Sequence, residues 1–151
     1  MIEIKSNITE VCDNVIKQLS AMDISKMTRL QASTLMAQMR RRIHVDGLAA
    51  DGRPIGSYSR GYLRYVRPKY GRTEGNKVVL SLTRTMENAM VLYPLENGTG
   101  IGYATAEQFQ KARWCEETYK RKIFSPTTEE RDTCIQIGKN YINQHLNGAN
   151  H

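Results

Sequence analysis

The side chains best suited to chemistry lie between Gly47 and Gly75, where arginines alternate with tyrosines. Arginine guanidinium groups bind phosphates and carboxylates, whereas tyrosine rings stack on bases and anchor protein interfaces. The residues expected to contact a partner or DNA are Tyr58, Arg60, Tyr62, Arg64, Tyr65, Arg67, Lys69 and Arg72. Nucleic-acid surfaces and protein interfaces share this composition, so both remain open.

Residues 47–75, here called the basic loop, form an unusually long connection for a compact domain. Loops of this length are uncommon and usually functional. We expect the basic loop to protrude and to be mostly irregular. Such a chain buries too little apolar surface to offset an ordering entropy of about 1–2 kcal/mol per residue, so its order would come from a partner outside the subunit. A solvated, mobile loop without a partner is the alternative.

Elsewhere the sequence shows no recognisable catalytic, metal or cofactor motif. His44, His145 and His151 lack the spacing to cysteines or carboxylates that a zinc site needs. Cys115 lies beside Trp114 with no candidate base at a recognisable spacing, so a small core residue is favoured over a nucleophile. We therefore expect no enzyme activity, no cofactor and no metal, although only this absence opposes an enzyme with an unrecognised site.

The composition limits the class of protein. The chain has 151 residues, which suits one domain over residues 1–151, and a net charge of +7, which favours acidic or polyanionic partners. Its three widely spaced cysteines predict a reducing compartment. Because no signal peptide or membrane-spanning stretch is recognisable, we expect a cytoplasmic setting without membrane contact.

Helical patterns occupy both ends of the chain. Between Ile8 and Ile43, apolar residues recur at intervals of three and four, which predicts two successive amphipathic helices. Thr127 and Glu130 have the spacing of a capping box, which predicts the start of a C-terminal helix that continues to Leu146.

Strand patterns lie between these helices. The predicted strands are Lys77 to Leu82, Ala89 to Tyr93 and Gly100 to Tyr103. The last two flank the dipeptide Asn97-Gly98, which tolerates positive φ and indicates a hairpin. We therefore expect an α+β fold in which long N-terminal and C-terminal helices pack on a small antiparallel sheet and a long basic loop protrudes.

A further helix is predicted directly after the last strand. Thr105 and Gln108 have the spacing of a second capping box. On this helix we expect Phe109, Trp114 and Tyr119 to be largely buried, either in the core or against a neighbouring subunit.

Three stretches resemble the tail-completion, or virion-morphogenesis, proteins of tailed bacteriophages. They are ADGRPIGSYS at 50–59, LSLTRTMENAMVL at 80–92 and IGYATAEQFQKARWCEETYKRKIFSPTTEER at 101–131. Together they comprise 54 of the 151 residues, in the order that the family shows. Arg84 departs from the pattern, because the family usually has glycine there, and Trp114 with Cys115 replaces more polar residues.

The resemblance implies a non-enzymatic virion structural protein of the neck or tail, assembled in the host cytoplasm. Such a head-tail connector or tail-completion subunit forms a homo-oligomeric ring that joins the portal or adaptor to the tail. The implied partners are other copies of the chain and portal, adaptor or tail-tube proteins, with packaged DNA as a further candidate.

A ring requires two different contact patches on each subunit, and the sequence suggests the basic loop and the C-terminal helix. The alternative function is a nucleic-acid-binding module that uses the Tyr/Arg-rich loop, which would show salt-dependent affinity for DNA.

Overall fold

A computed structural model describes residues 8–72 and 75–148, so His151 lies outside the described residues. The fold is α+β, as expected, and its 62% helix and 12% strand mean that helices supply most of the packing. The helices are α1 Ile8–Ser20, α2 Ile24–Arg41, α3 Thr85–Asn88, α4 Ala106–Tyr119 and α5 Thr128–Gly148, and the strands are β1 Met90–Leu95 and β2 Gly98–Tyr103.

The two predicted N-terminal helices are present as α1 and α2. Helix α2 begins after Asp23, whose carboxylate accepts a hydrogen bond from the backbone N–H of Lys26 at 2.9 Å. It continues into a π-helical turn, Arg42–Asp46, and ends at Gly47 with φ 64°. A Cβ at Gly47 would collide with the carbonyl oxygen of Val78, so glycine allows both the left-handed φ and the close approach.

The predicted hairpin is confirmed, but its turn lies one residue earlier. Strands β1 and β2 are antiparallel, and Leu95 pairs with Gly98, which leaves Glu96 and Asn97 as the turn. Neither Asn97 nor Gly98 has a positive φ, so the property that suggested the hairpin is not used.

Glycines in β2 make room for an aromatic ring from β1. Tyr93 pairs with Gly100, and a Cβ at Gly100 would collide with the Tyr93 ring. A Cβ at Gly102 would lie only 2.9 Å from the same ring. The ring therefore covers the two glycines across the strand pair, which explains the glycine alternation in the sequence.

The predicted strand from Lys77 to Leu82 is wrong. Only Lys77 pairs in the manner of a strand, with Ser57 of the basic loop. Leu80 has φ 39°, which ends the extended backbone that a strand requires. The apolar run instead supplies Val78 to the core, where this residue is fully buried.

Helix α2 is the central element of the packing. It lies against the sheet, mainly β2, whereas α5 packs on α2. At this helix crossing the side chain of Gln31 donates to the carbonyl oxygen of Cys134 at 2.7 Å. A Cβ at Gly138 would lie 2.7 Å from the same Gln31 amide nitrogen, so glycine permits the close approach.

The hydrophobic core joins α2 to the basic loop. Its buried members are Met39, Ile43, Ala49, Ile55, Val78 and Ile123. Ala49 and Ile55 belong to the basic loop, so the first part of that loop is built into the core and does not protrude.

Both predicted capping boxes occur, one of them in full. The N–H of Glu130 donates to the Thr127 hydroxyl at 3.0 Å, and the N–H of Thr127 donates back to the Glu130 carboxylate at 2.8 Å. At α4 the N–H of Gln108 donates to the Thr105 hydroxyl at 3.3 Å. The side-chain oxygen of Gln108 has no hydrogen-bond partner among the described residues, so the reciprocal half is missing.

A buried arginine ties the end of α2 to the start of α5. The Nε of Arg42 donates to Glu130 Oε1 at 2.7 Å, and its Nη2 donates to Oε2 at 3.3 Å. The same guanidinium donates to the carbonyl oxygens of Leu48, Ile123 and Ser125 at 2.9–3.1 Å. We call this arrangement the Arg42 clamp, and in it the charge and the N–H groups of a buried arginine are satisfied within the subunit.

Candidate functional site

The basic loop is a closed and partly helical excursion. Ser57 pairs with Lys77, and the N–H of Tyr58 donates to the carbonyl oxygen of Asn76 at 2.7 Å. Residues 60–70 are helical, with a π-helical turn at Tyr62–Val66 followed by a 3₁₀ turn at Arg67–Tyr70. The basic loop is thus mostly irregular, as expected, with one helical segment, and hydrogen bonds and packing inside its own subunit order its described part.

Part of the predicted contact set faces inward. Tyr58 packs against the core, and its hydroxyl accepts a hydrogen bond from the N–H of Val79 at 3.2 Å. The ring of Tyr62 stacks on Tyr58 at 4.9 Å, and the guanidinium of Arg67 lies 4.6 Å from the centre of the Tyr58 ring. Arg67 is only 3% exposed, so it is placed inside the subunit and not on a partner surface.

Four other residues of the set face solvent. Arg60, Arg64, Tyr65 and Lys69 are exposed. The guanidinium of Arg64 lies 5.4 Å from the centre of the Tyr65 ring, a weak cation–π contact. We call these four residues the outer basic surface. Its charges and its 61% exposed Tyr65 are free to meet acidic groups or bases.

A polar cavity of about 280 Å³ lies between the turn after α2, the basic loop and the segment before α3. We call it the basic cavity, and its polar lining residues are His44, Arg67, Arg72, Ser81 and Arg84. None of its lining residues is acidic. The inward Arg67 and the half-buried Arg72 of the predicted set thus meet two residues, His44 and Arg84, that sequence reasoning did not select.

Arg67 lines this cavity, and its buried guanidinium group is only partly hydrogen-bonded. Its Nε and Nη1 are buried and have no hydrogen-bond partner among the described residues. An arginine side chain stays protonated in proteins, so burial cannot neutralise it. The cation–π contact with the Tyr58 ring, worth about 2 kcal/mol when desolvated, offsets part of the cost of burying this charge. The ring does not accept the hydrogen bonds that the N–H groups of Nε and Nη1 could donate, so these groups stay unpaired.

His44 presents a free lone pair to the same region. Its Nδ1 lies 3.0 Å from the carbonyl oxygen of Leu80, and a carbonyl can only accept, so Nδ1 carries the proton in this bond. Burial lowers the pKa of His44, which keeps the ring neutral near pH 7. Nε2 is therefore an acceptor, and it has no partner among the described residues.

Arg84 lies at a strained position in front of α3. It has φ 59°, in the left-handed region that glycine adopts without penalty. At the sequence level, the departure from an expected glycine at position 84 is the signal that could have selected this residue. Arg84 is exposed and contributes to the lining of the basic cavity.

A second, mostly apolar depression of about 400 Å³ lies beside α4. We call it the Trp114 groove, and its large lining residues are Tyr58, Tyr62, Leu82, Met86, Trp114 and Tyr119. Arg84 and Lys111 also line it, so both of its charged lining residues are basic.

Two of the three aromatic residues expected to be buried on α4 are exposed within the subunit. Trp114 is 56% exposed and Phe109 is 54% exposed, because Gln108 and Ala112 form the buried face of this helix. Tyr119 is half-buried, and burial raises its pKa to about 12. Burial within a neighbouring subunit stays a prediction for Trp114 and Phe109.

Cys115 packs against the core from α4, in line with its interpretation as a small core residue. Burial raises the pKa of its thiol, with a smaller contribution from Glu116. A raised pKa keeps the sulfur protonated and poorly nucleophilic near neutrality.

Helix α1 has an apolar face that its own subunit does not cover. Val11, Val15, Ile16 and Leu19 are 38–60% exposed, and no residue of α1 is buried. Its main contact within the chain is with α5. The C-terminal helix is covered in part by α1 and α2, and its role as a contact patch stays a prediction.

No protein-family model, curated protein or solved structure matches this chain. Within the described residues, no group of three or more His, Cys, Asp or Glu side chains could hold a metal ion. None of the described helices is long and apolar enough to cross a membrane. The two surfaces, the groove and the cavity are therefore the features of the described residues that bear on function.

Proposed function

We propose that this chain is a structural virion subunit of a tailed bacteriophage. It is a ring-forming head-tail connector or tail-completion protein that joins the portal or adaptor to the tail. The observation that carries this proposal is the presence of two different uncovered apolar surfaces, the face of α1 and the Trp114 groove. Exposed apolar surfaces mark interaction sites, and a ring needs two unlike patches on every subunit.

Helix α1 needs a partner to be stable as a helix. It has 13 residues, near the length at which isolated helices are marginal in water, and it buries no residue in its own subunit. Covering Val15, Ile16 and Leu19 would add the apolar burial that stabilises most protein helices.

The Trp114 groove of a second copy is a suitable receptor for α1. An amphipathic helix commonly binds by placing its apolar face in a groove lined with large apolar side chains. The charged lining residues of the groove, Arg84 and Lys111, are basic, although Lys111 also contacts Glu107 at 2.6 Å. On α1, Asp13 neighbours Ile16 at the edge of the apolar face, so the charges of the two surfaces are complementary.

A helix-to-groove contact between copies is heterologous, and it repeats from subunit to subunit. If the rotation closes, the result is a ring of the kind that the resemblance to phage neck proteins implies. In that ring the outer basic surface is left for a neighbouring neck protein or for packaged DNA.

The proposal is tested by sedimentation of matched variants. Wild type is expected to form a closed oligomer, whereas Ile16→Glu in α1 and Trp114→Ala in the groove should remain monomeric. Asn14→Glu adds the same charge to the polar side of α1, and Arg113→Ala truncates an exposed residue of α4 that does not line the groove. Both controls should assemble.

Mixing the two defective variants distinguishes this contact from a symmetric one. The intact helix of Trp114→Ala fits the intact groove of Ile16→Glu, so the mixture should give a heterodimer that cannot grow. A wild-type chain that stays monomeric at all concentrations, or a mixture without heterodimer, would contradict the helix-to-groove contact. Electron microscopy of phage particles carrying Ile16→Glu should show full or emptied heads without attached tails, and normal virions would refute the neck function.

The outer basic surface favours a second candidate, a nucleic-acid-binding module. Four cationic or aromatic side chains, Arg60, Arg64, Tyr65 and Lys69, are exposed on one short helical segment. In that case Arg64→Gln with Lys69→Gln should weaken DNA binding and reduce its salt dependence, whereas Lys17→Gln on α1 should do neither. DNA affinity that is unchanged by the double variant would remove this candidate.

A further inference from the structure

The basic cavity is lined by a buried cation, and two of its nitrogens make no hydrogen bond among the described residues. Arg67 is 3% exposed, and its Nε and Nη1 have no acceptor among the described residues. Buried charges in proteins are normally paired or hydrogen-bonded, because an unpaired one is costly to desolvate. Among the described residues the cavity lining has no acidic side chain, and the Glu87 carboxylate beside it already accepts a hydrogen bond from Ser81 Oγ at 3.3 Å. An anion from solvent can supply the missing acceptor.

The other lining residues specify the type of anion. Arg72 and Arg84 add two more guanidinium groups to the same cavity. A tetrahedral anion with four oxygens can accept hydrogen bonds from several guanidinium groups at once, whereas a carboxylate has only two oxygens. The three arginines therefore favour phosphate or sulfate over an acidic side chain.

His44 distinguishes phosphate from sulfate. Its Nδ1 donates to Leu80, so its buried Nε2 offers a lone pair and requires a proton donor. Phosphate near pH 7 carries at least one hydroxyl group and can donate to this nitrogen. Sulfate carries none, and neither does a phosphodiester of nucleic acid.

We propose that the basic cavity binds inorganic phosphate, with Arg67, Arg72 and Arg84 donating to its oxygens and its hydroxyl donating to Nε2 of His44. The cavity, about 280 Å³, has room for this ion together with water. Arg84 extends a cation to the site from a backbone position at φ 59° that glycine would occupy with less strain. One subunit supplies all the donors that this site needs, so binding can be tested on the isolated chain.

Titration calorimetry of the isolated chain with inorganic phosphate in a phosphate- and sulfate-free buffer tests this site. One saturable site is expected, with sulfate binding more weakly. Arg84→Gly should lower the phosphate affinity by about tenfold, the size of one charge-assisted hydrogen bond, without lowering the melting temperature in phosphate-free buffer. Arg67→Met should abolish binding. Arg60→Gln, an arginine substitution on the outer basic surface, should leave it unchanged.

Competition with a short DNA duplex then separates two sources of the phosphate group. If the duplex fails to displace inorganic phosphate, the free ion is the ligand, and if it displaces the ion in an Arg84-dependent way, the nucleic-acid backbone reaches the cavity. Two results would overturn the proposal: no saturable binding at millimolar phosphate, or binding that neither Arg84→Gly nor Arg67→Met weakens. Because Arg84→Gly relieves strain, its result stays interpretable if Arg67→Met fails to fold.

Discussion

Arg42 and Arg67 are both almost fully buried, yet their surroundings differ in kind. Arg42 is 7% exposed and shares a carboxylate and three carbonyl oxygens in the Arg42 clamp. Arg67 is 3% exposed and rests on an aromatic ring with two nitrogens unpartnered among the described residues. Burial alone therefore does not reveal the role of a charged residue. The number of hydrogen-bond acceptors around it separates these two arginines.

The positions of the two arginines explain the difference. The Arg42 clamp closes the gap between α2 and the start of α5, where Glu130 is also held by its capping box. Arg67 lies in the basic loop, whose lining partners near the cavity are histidine, serine and two more arginines. The guanidinium of Arg42 finds its hydrogen-bond acceptors within the folded chain, whereas in our proposal a bound anion supplies those of Arg67.

The largest effect on the free energy of unfolding is expected from removing the arginine of the Arg42 clamp. Arg42→Met removes the partner of Glu130 and leaves a carboxylate that is 7% exposed with only the Thr127 N–H and solvent to stabilise it. Breaking a buried ion pair in this way costs about 3–5 kcal/mol in the free energy of unfolding. Urea denaturation measures this loss.

A double variant checks the cause of that loss. Adding Glu130→Leu removes the uncompensated carboxylate, so Arg42→Met with Glu130→Leu should recover part of the stability, the remaining deficit including the lost capping box. If the single and double variants are equally unstable, the unpaired charge is not the reason for the loss.

Replacing Arg67 is expected to change the free energy of unfolding much less. Arg67→Met gives up the contact with the Tyr58 ring but removes a buried charge that lacks acceptors. Since these contributions oppose each other, the free energy of unfolding should change by less than about 1 kcal/mol in phosphate-free buffer. A loss as large as that of Arg42→Met would mean that Arg67 is satisfied within the subunit, and the contrast would disappear.

The last effect is a pH dependence that originates in His44. Burial lowers its folded pKa below the ordinary value of about 6.5, so the unfolded chain binds more protons in the interval between the two values. The contribution of His44 to stability is therefore complete above about pH 6.5 and is lost as the pH falls through the lowered folded pKa. Nearby Glu87 reduces this shift and Arg40 increases it.

Denaturation at a series of pH values isolates this contribution. Between pH 7.5 and pH 5, wild type should lose more stability than His44→Gln, by about 1.4 kcal/mol for each unit by which the folded pKa is lowered. Parallel curves for the two proteins would contradict a lowered pKa of His44 in the folded state.

Local sequence patterns predicted the elements that depend on neighbours in the chain. The capping box of Thr127 and Glu130, the hairpin around Asn97 and the two N-terminal helices depend on residues within a few positions of each other. The strand from Lys77 failed because Leu80 adopts a positive φ, a conformation that its residue type does not suggest.

The candidate site could be predicted only in part, because it depends on distant pairing. The composition of the basic loop selected Arg67 and Arg72 but could not divide them from the exposed Arg64. That division follows from the pairing of Ser57 with Lys77, which joins the two ends of the excursion and brings Arg67 beside residues 79–84. His44 lies even further away in the chain and carries no local pattern.

Trp114 is the only tryptophan in the chain, and its side chain is 56% exposed in the groove. Its indole fluorescence is therefore an intrinsic optical signal from one defined place on the surface. Emission from the isolated subunit should resemble that of a solvated indole, and it should shift to shorter wavelength when an apolar helix covers the ring. The assembly reaction can thus be followed in real time without a label, while unfolding of the isolated subunit should change the emission wavelength comparatively little.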